Sequence, residues 1–355
     1  AVKKLRDLFG STEPIVPGRL YGRIADGNAR MLLTPAVTHA WLHQSSAGIT
    51  PALDWFGRTL DGGRALDVTD QVWPWREAGN FVALMAVPLL IAGLIAASAT
   101  FFATRSAPKQ NPAPPPSGAR PIAKLVAIAL LPALLFIPAC MATEALLGQN
   151  ALFRQTFTNQ FAGWALLSAL ISLFMLRRKA GGLGMREVPR ALALAAIILL
   201  PAYLLVLGAD QQLHVNPSWW FITIRPISLE RARDFLLYAP FFVASCLCSL
   251  QLVQAASPLD VGSMGGAVAR AMAALAGGFA LFLVAQYGVL AATGHLLMPG
   301  EGLRVISAIG FAVILAFVGL FGAVSQRSHG SVVPGALVSG LFVTWLLVAT
   351  QPIGV

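Results

Sequence analysis

The sequence predicts a mainly α protein, a polytopic helical membrane bundle of about eight spans preceded by a segment suited to a different solvent. Three observations carry this reading. Hydrophobic residues fill 57% of the 355 positions and charged residues only 11%, with a mean hydropathy of +0.72, a composition that water-soluble globular chains do not reach. Eight apolar runs approach or exceed the ~18 residues needed to cross a hydrocarbon core. The charges are unevenly placed: the first 80 residues hold 9 of the 25 Lys+Arg and 8 of the 15 Asp+Glu.

Within that charged front, "AVKKLRDLFGS" reads as an amphipathic helix, with Val2, Leu5 and Leu8 or Phe9 opposite Lys3, Lys4 and Asp7, closed by Gly10. It has neither an initiator Met nor an apolar signal core, and reads as the middle of something longer. "RLYGRIADGNARMLLTP" offers a hairpin around "ADGN", with "ARMLLTP" as its clearest strand. A loop, "AVTHAWLHQ", follows. "SSAGITPALDWFGRTLDGG" then reads as a helix capped by Ser45 or Ser46, with Ile49, Leu53, Phe56 and Leu60 on one face and an end at Gly62–Gly63. Pro51 falls early in it, where a missing N–H does least harm.

The order is therefore helix, strand, histidine-bearing loop, helix, and an open α/β sheet places its active-site groups where strands end and loops begin. The run "YGRIADGNARMLLTPAVTHAWLHQSSAGITPALDWFGRTL" resembles the C-terminal end of an α/β hydrolase of the dienelactone-hydrolase or dipeptidyl-peptidase-like kind. The likeness continues through "DVTDQVWPWREAGNFVALMAVPLL", which is similar to bacterial α/β hydrolases that run into a multi-pass membrane domain through a tryptophan-containing junction, here Gln71 to Glu77. It covers about the first 100 residues.

The resemblance implies that His39 is the general base of a serine triad, since in that family the order is Ser, then Asp or Glu, then His. His43 is implied to be a neighbour. Without the resemblance, a histidine in a polar loop is by default solvated. The nucleophile elbow G-x-S-x-G occurs nowhere in the 355 residues, and no triad acid can be assigned. Asp54, Asp61, Asp67 and Asp70 read as a solvated helix face and turn. The expectation is a partial α/β-hydrolase segment over residues 1–66 and a junction over 67–80. The missing N-terminal hydrolase portion would be its partner, the substrate lipidic or peptidic, and the chain inactive alone. No cofactor and no metal are expected.

The spans are predicted at Phe81–Thr104, Ile122–Met141, Phe157–Leu176, Ala191–Leu207, Phe235–Ala256, Ala267–Leu290, Val305–Val324 and Val332–Ala349, making 81–355 a multi-pass domain. Residues 105–121 form a proline-rich linker. Loops after the odd-numbered spans, with their flanks, hold eleven basic residues and the other side five: Arg154, Arg225, Arg231, Arg233 and Arg304. The positive-inside rule puts the eleven in the cytoplasm, so residues 1–80 and the C-terminus lie outside a bacterial inner membrane. A sequence pI near 10.3 thus reflects topology; no basic stripe or motif points to nucleic acid. Trp219, Trp220 and Phe221 suit a headgroup belt, and Ser228 with Glu230 to Asp234 a short interfacial helix entering the fifth span.

Inside the spans, ionisable groups are few. Glu144 and Lys124 sit at opposite ends of the second span, and Gln251, Gln254, Gln286, Tyr287 and His295 complete the polar set. Cys140, Cys246 and Cys248 lie in apolar runs without metal spacing. Gly278, Ala280, Gly335 and Gly340 favour helix packing. The alternative to an anchored hydrolase is a transport or scaffold subunit with a small extracytoplasmic cap. A deep polar cavity between the spans would favour that reading, and a tightly packed bundle would count against it.

Overall fold

A computed structural model describes residues 2–37, 39–64, 66–102, 119–176 and 188–354. The proline-rich linker lies almost wholly outside the described residues, as does the basic stretch 177–187. The chain divides into two compact units, Ala1–Ala78 and Gly79–Val355.

In the first unit α1 spans Val2–Phe9, and Leu20–Tyr21 (β1) pairs antiparallel with Arg30–Met31 (β2). The hairpin is closed where Arg23 N–H donates to Asn28 Oδ1 at 2.7 Å. Gly22 sits at φ +74, and a Cβ there would meet the Asn28 carbonyl at 2.6 Å, so no other residue serves. The predicted strand over "ARMLLTP" is paired for only two residues. Beyond Met31 its one ladder-like bond is Leu32 O accepting from Gly18 N–H at 2.8 Å. Residues His39–Gln44 form a 3-10 turn, and α2 spans Ser46–Thr59 with Ser45 as its cap, accepting from Ala47 N–H at 3.2 Å. The predicted apolar stripe of α2 exists but is uncovered: Leu53 is 41%, Phe56 54% and Leu60 64% exposed. Among the described residues of this unit only Ala29 and Gln44 are buried.

The second unit is a helical bundle that follows the predicted spans. Its helices are α3 (Trp73–Phe102, which begins in the first unit), α4 (Ala119–Leu134), α5 (Phe136–Leu147), α6 (Thr156–Leu176), α7 (Val188–Leu213), α8 (Leu229–Ala256), α9 (Met264–Thr293), α10 (Gly302–His329) and α11 (Val333–Thr350). Seven of them are individually long and apolar enough to span, and α4 with α5, bent by 40° at the break between them, makes an eighth when the pair is counted as one span.

The break follows from its prolines. Pro138 has no N–H to give to the carbonyl one turn back, and Pro132 crowds the turn before it. At the break the Pro132 carbonyl accepts from the Trp164 indole N–H at 2.8 Å, a side-chain partner of the kind that backbone acceptors at membrane depth need. Phe136, just past the break and fully buried, turns into the centre of the bundle.

α11 is the axial helix, with 83% of its spanning window buried against 33% for α7 and for α9. A helix apolar on all sides belongs in such a place. Its hydroxyls are satisfied within the helix: Ser339 donates to Gly335 O and Thr344 to Gly340 O, each at 2.7 Å. α8 and α10 pack on α11, α6 packs on α8, and α9 lies against α10 and α4. These approaches are close because glycine lies at the crossings. A Cβ on Gly278 would collide with the Ala129 carbonyl of α4, one on Gly335 with the Phe321 carbonyl of α10, and one on Gly340 with the Val243 backbone of α8. Ala280, counted with them from sequence, is exposed.

At the centre, Phe136, Phe161, Trp164, Phe279 and Phe311 form one interlocking cluster with ring centroids 4.8 to 6.0 Å apart. Offset and edge-to-face contacts of this kind add to simple burial. The cluster joins α5, α6, α9 and α10 at one level.

Candidate functional site

Two places carry enough polar chemistry to be considered. The first is the segment around His39. The chain leaves β2, makes a tight turn at Pro35 where Val37 N–H donates to Pro35 O at 2.8 Å, and enters the 3-10 turn whose first residue is His39. The backbone thus places His39 eight residues beyond Met31, the last residue in the ladder, and its side chain lies outside what the structure describes. His43 is exposed. Gln44 is buried and donates to Glu77 Oε2 at 3.0 Å, and among the described residues its own Oε1 has no partner. A Cβ on Gly48 would collide with the Leu42 carbonyl, so glycine is what lets α2 lie against this turn.

The nearby aspartates are otherwise engaged. Asp54 pairs with Arg58 at 3.4 Å one helical turn on. Asp67 accepts from Thr69 N–H at 2.8 Å and from its hydroxyl at 2.6 Å, and these bonds hold its carboxyl below the usual range. What stability that turn contributes is therefore present above the ordinary carboxylate pKa and fades as pH falls through the lowered one.

The second place is a polar network at the end of the bundle where α11 finishes. α8 places Glu230, Arg231 and Asp234 within its first two turns, and the α5–α6 loop brings Arg154 against them. Asp234, fully buried, receives Arg154 Nη2 at 2.8 Å and Nε at 3.3 Å, and Glu230 lies 3.5 Å from the same guanidinium. Hydrogen bonding to Asp234 raises the Arg154 pKa above its ordinary value. Arg231 Nη1 caps the C-terminus of α11, donating to the carbonyls of Val348 and Gln351 at 2.6 Å each, which also opposes the negative end of that helix. Gln155 reaches the same two carbonyls at 3.0 and 3.2 Å. Tyr238 donates to Asn159 Oδ1, whose Nδ2 donates in turn to Gly148 O and Phe153 O. A short way off, Arg304 bridges Glu144 and Glu301 and donates to Gln160 Oε1 at 3.0 Å.

Sequence reasoning placed Glu144 at a span end and counted Arg154, Arg231 and Arg304 as topology signals. The structure commits all four to tying five helix ends together. Nothing local could have revealed this, because Arg154 and Asp234 lie 80 residues apart. Gln254, at the opposite end, receives Leu259 N–H at 2.7 Å and closes a turn. His295 lies exposed in the α9–α10 loop. Gln286 is buried, with Oε1 accepting from Met298 N–H at 3.3 Å. The expected interfacial helix is the first turns of α8 itself, continuous from Leu229.

Two cavities within the bundle are small. One of about 140 Å³ lies beside the network, lined by Ile222, Ser307, Phe311, Thr350 and Gln351 among others. Another of about 40 Å³ lies among Ser168, Ser172, Ser245 and Ser249, room for a few waters at most. Among the described residues no group of three or more His, Cys, Asp or Glu could hold a metal ion.

The Arg154–Asp234 pair makes a specific prediction. Arg154→Met should lower the midpoint of detergent-induced unfolding more than the double variant Arg154→Met, Asp234→Leu does, because the single change strands a buried carboxylate whereas the double change removes it. Unfolding curves of the purified chain in mixed micelles measure the sign of that coupling. No family model matches the chain, and neither a curated protein nor a solved structure matches it.

Proposed function

We propose that residues 1–66 complete the head of an extracytoplasmic serine α/β hydrolase, esterase-, lipase- or peptidase-like, which the eight-span bundle anchors in a bacterial inner membrane. The observation that carries this reading is the unburied state of the first unit. The α2 stripe leaves Leu53, Phe56 and the capping Leu60 exposed, and among the described residues of the unit only Ala29 and Gln44 are buried. Seventy-eight residues with so little apolar burial cannot offset the ordering cost of about 1–2 kcal/mol per residue, so the stripe calls for further polypeptide to cover it. A hydrolase head supplying the serine and the acid fits the residue pattern around His39. In that setting the neutral imidazole of His39 accepts the serine hydroxyl proton as the serine attacks the carbonyl, and returns it to the leaving group.

The bundle's ring cluster supports anchoring over conduction. A transport subunit would need a polar path, and the centre is occupied by five aromatic side chains. The eleven-to-five distribution of basic residues supports an external head.

The test is ester hydrolysis by the full-length product of the gene, with a p-nitrophenyl acyl ester as substrate. His39→Ala should lower kcat/KM by at least about a thousandfold, while His43→Ala should leave it within a few-fold of the parent. Equal effects of the two substitutions would remove His39 from the role.

A further inference from the structure

Five arginines lie at the α11-exit end of the bundle, and four are committed. Arg154 and Arg304 face carboxylates, Arg231 caps α11, and Arg233 donates to Ala151 O at 3.5 Å. Arg225 is different: its side chain is exposed and, among the described residues, has no acceptor.

It stands two residues ahead of Ile227, which with Tyr203 of α7, Ser228, and Leu229, Phe235 and Leu236 of α8 forms an open groove of about 490 Å³. The floor is apolar, with Leu229 92% and Leu236 72% exposed. The approach to α8 is fixed in place. Trp345 Nε1–H donates to Arg225 O at 2.8 Å, and the Tyr203 hydroxyl donates to Ile227 O at 3.2 Å. Ser228, at the cap position of α8, makes no capping bond with its side chain and lines the groove. The nearest acid along the chain, Glu230, is turned to Arg154.

We propose that this groove binds an anionic glycerophospholipid, with an acyl chain along Tyr203, Phe235 and Leu236 and the phosphate at Arg225 and the Ser228 hydroxyl. A free guanidinium pairs with phosphate at headgroup level. Arg225 lies on the same short approach to α8 as Ile227 and Ser228, which line the apolar groove, and a cation beside exposed grease is the pairing that a phospholipid presents. A zwitterionic lipid offers the same chains with no net charge.

Native mass spectrometry of the full chain, released from detergent containing equal phosphatidylglycerol and phosphatidylcholine, tests this. The parent should retain phosphatidylglycerol about fivefold better, the worth of one basic residue facing an anionic headgroup. Arg225→Gln should bring the ratio near one, Arg225→Lys should restore most of it, and Arg233→Gln should leave it unchanged. Ala232→Trp, which fills the groove, should lower retention of both lipids. A parent ratio near one, a preference that survives Arg225→Gln, or one lost equally with Arg233→Gln would overturn the assignment. So would a dimer that Ala232→Trp dissolves, since it would give the groove to a second copy of the chain.

Discussion

Replacing Gly278 with alanine is expected to destabilise the bundle by about 3 kcal/mol, the upper end of overpacking costs, while the same change at neighbouring Gly277 leaves it unaltered or gains a few tenths. The two glycines are adjacent on α9, yet a Cβ on Gly278 would collide with the Ala129 carbonyl of α4, whereas one on Gly277 meets nothing within 4 Å. A colliding methyl against a flexible side chain could be absorbed by a rotamer change. Against a backbone carbonyl it has to push two helices apart, and with them the packing of α4 that supports the 40° bend. In lipid, helices gain little from burying grease, because the surrounding chains are as apolar as the core; close backbone approach is what holds them. The pair of alanine variants, unfolded by increasing SDS fraction in mixed micelles, should therefore separate in opposite directions.

Phe136→Ala should cost about 2–3 kcal/mol, at or just below the range for deleting a buried phenyl from a soluble core, because in lipid part of the transfer contribution cancels while the cavity remains. Phe136 is fully buried and touches four rings, those of Phe161, Trp164, Phe279 and Phe311. Removing it leaves a void where α5, α6, α9 and α10 meet, and the same micelle titration reads the loss. Phe136→Leu should recover more than half of it, because the branched side chain refills most of the volume.

How much of this was legible in the residues differs by region. The spans were, because hydropathy needs only length and composition, and all eight predicted runs fall on helices of the bundle. The bend in the second was not inferred, although its cause, Pro132 and Pro138, was in plain view. Prolines are tolerated in membrane helices when neighbours satisfy the carbonyls around the break, and the neighbour that takes the Pro132 carbonyl, Trp164, is 32 residues away. Gly278, Gly335 and Gly340 were correctly read as packing positions. Ala280 was not, since small size alone does not tell which side of a helix faces its neighbours.

The polar network at the α11-exit end was invisible for a related reason. Arg154, Arg231 and Arg304 sit where the positive-inside rule counts charge, and only the fold shows that they bind Asp234, the end of α11 and Glu144. In the first unit, periodicity identified the apolar face of α2 and the Ser45 cap but could not say what covers that face. The strand predicted over "ARMLLTP" pairs over two residues because Leu32 and Leu33 meet no second strand, which is the same lack of cover seen from the sheet side.

The central claim is that His39 serves a serine nucleophile in a membrane-anchored head. The most direct measurement is labelling of the intact gene product, in membranes, with a fluorophosphonate probe. The account predicts one labelled serine in the polypeptide that precedes this region, with labelling abolished by His39→Ala and retained in His43→Ala. A folded, membrane-inserted product that the probe never labels, or one labelled equally well without His39, would contradict it.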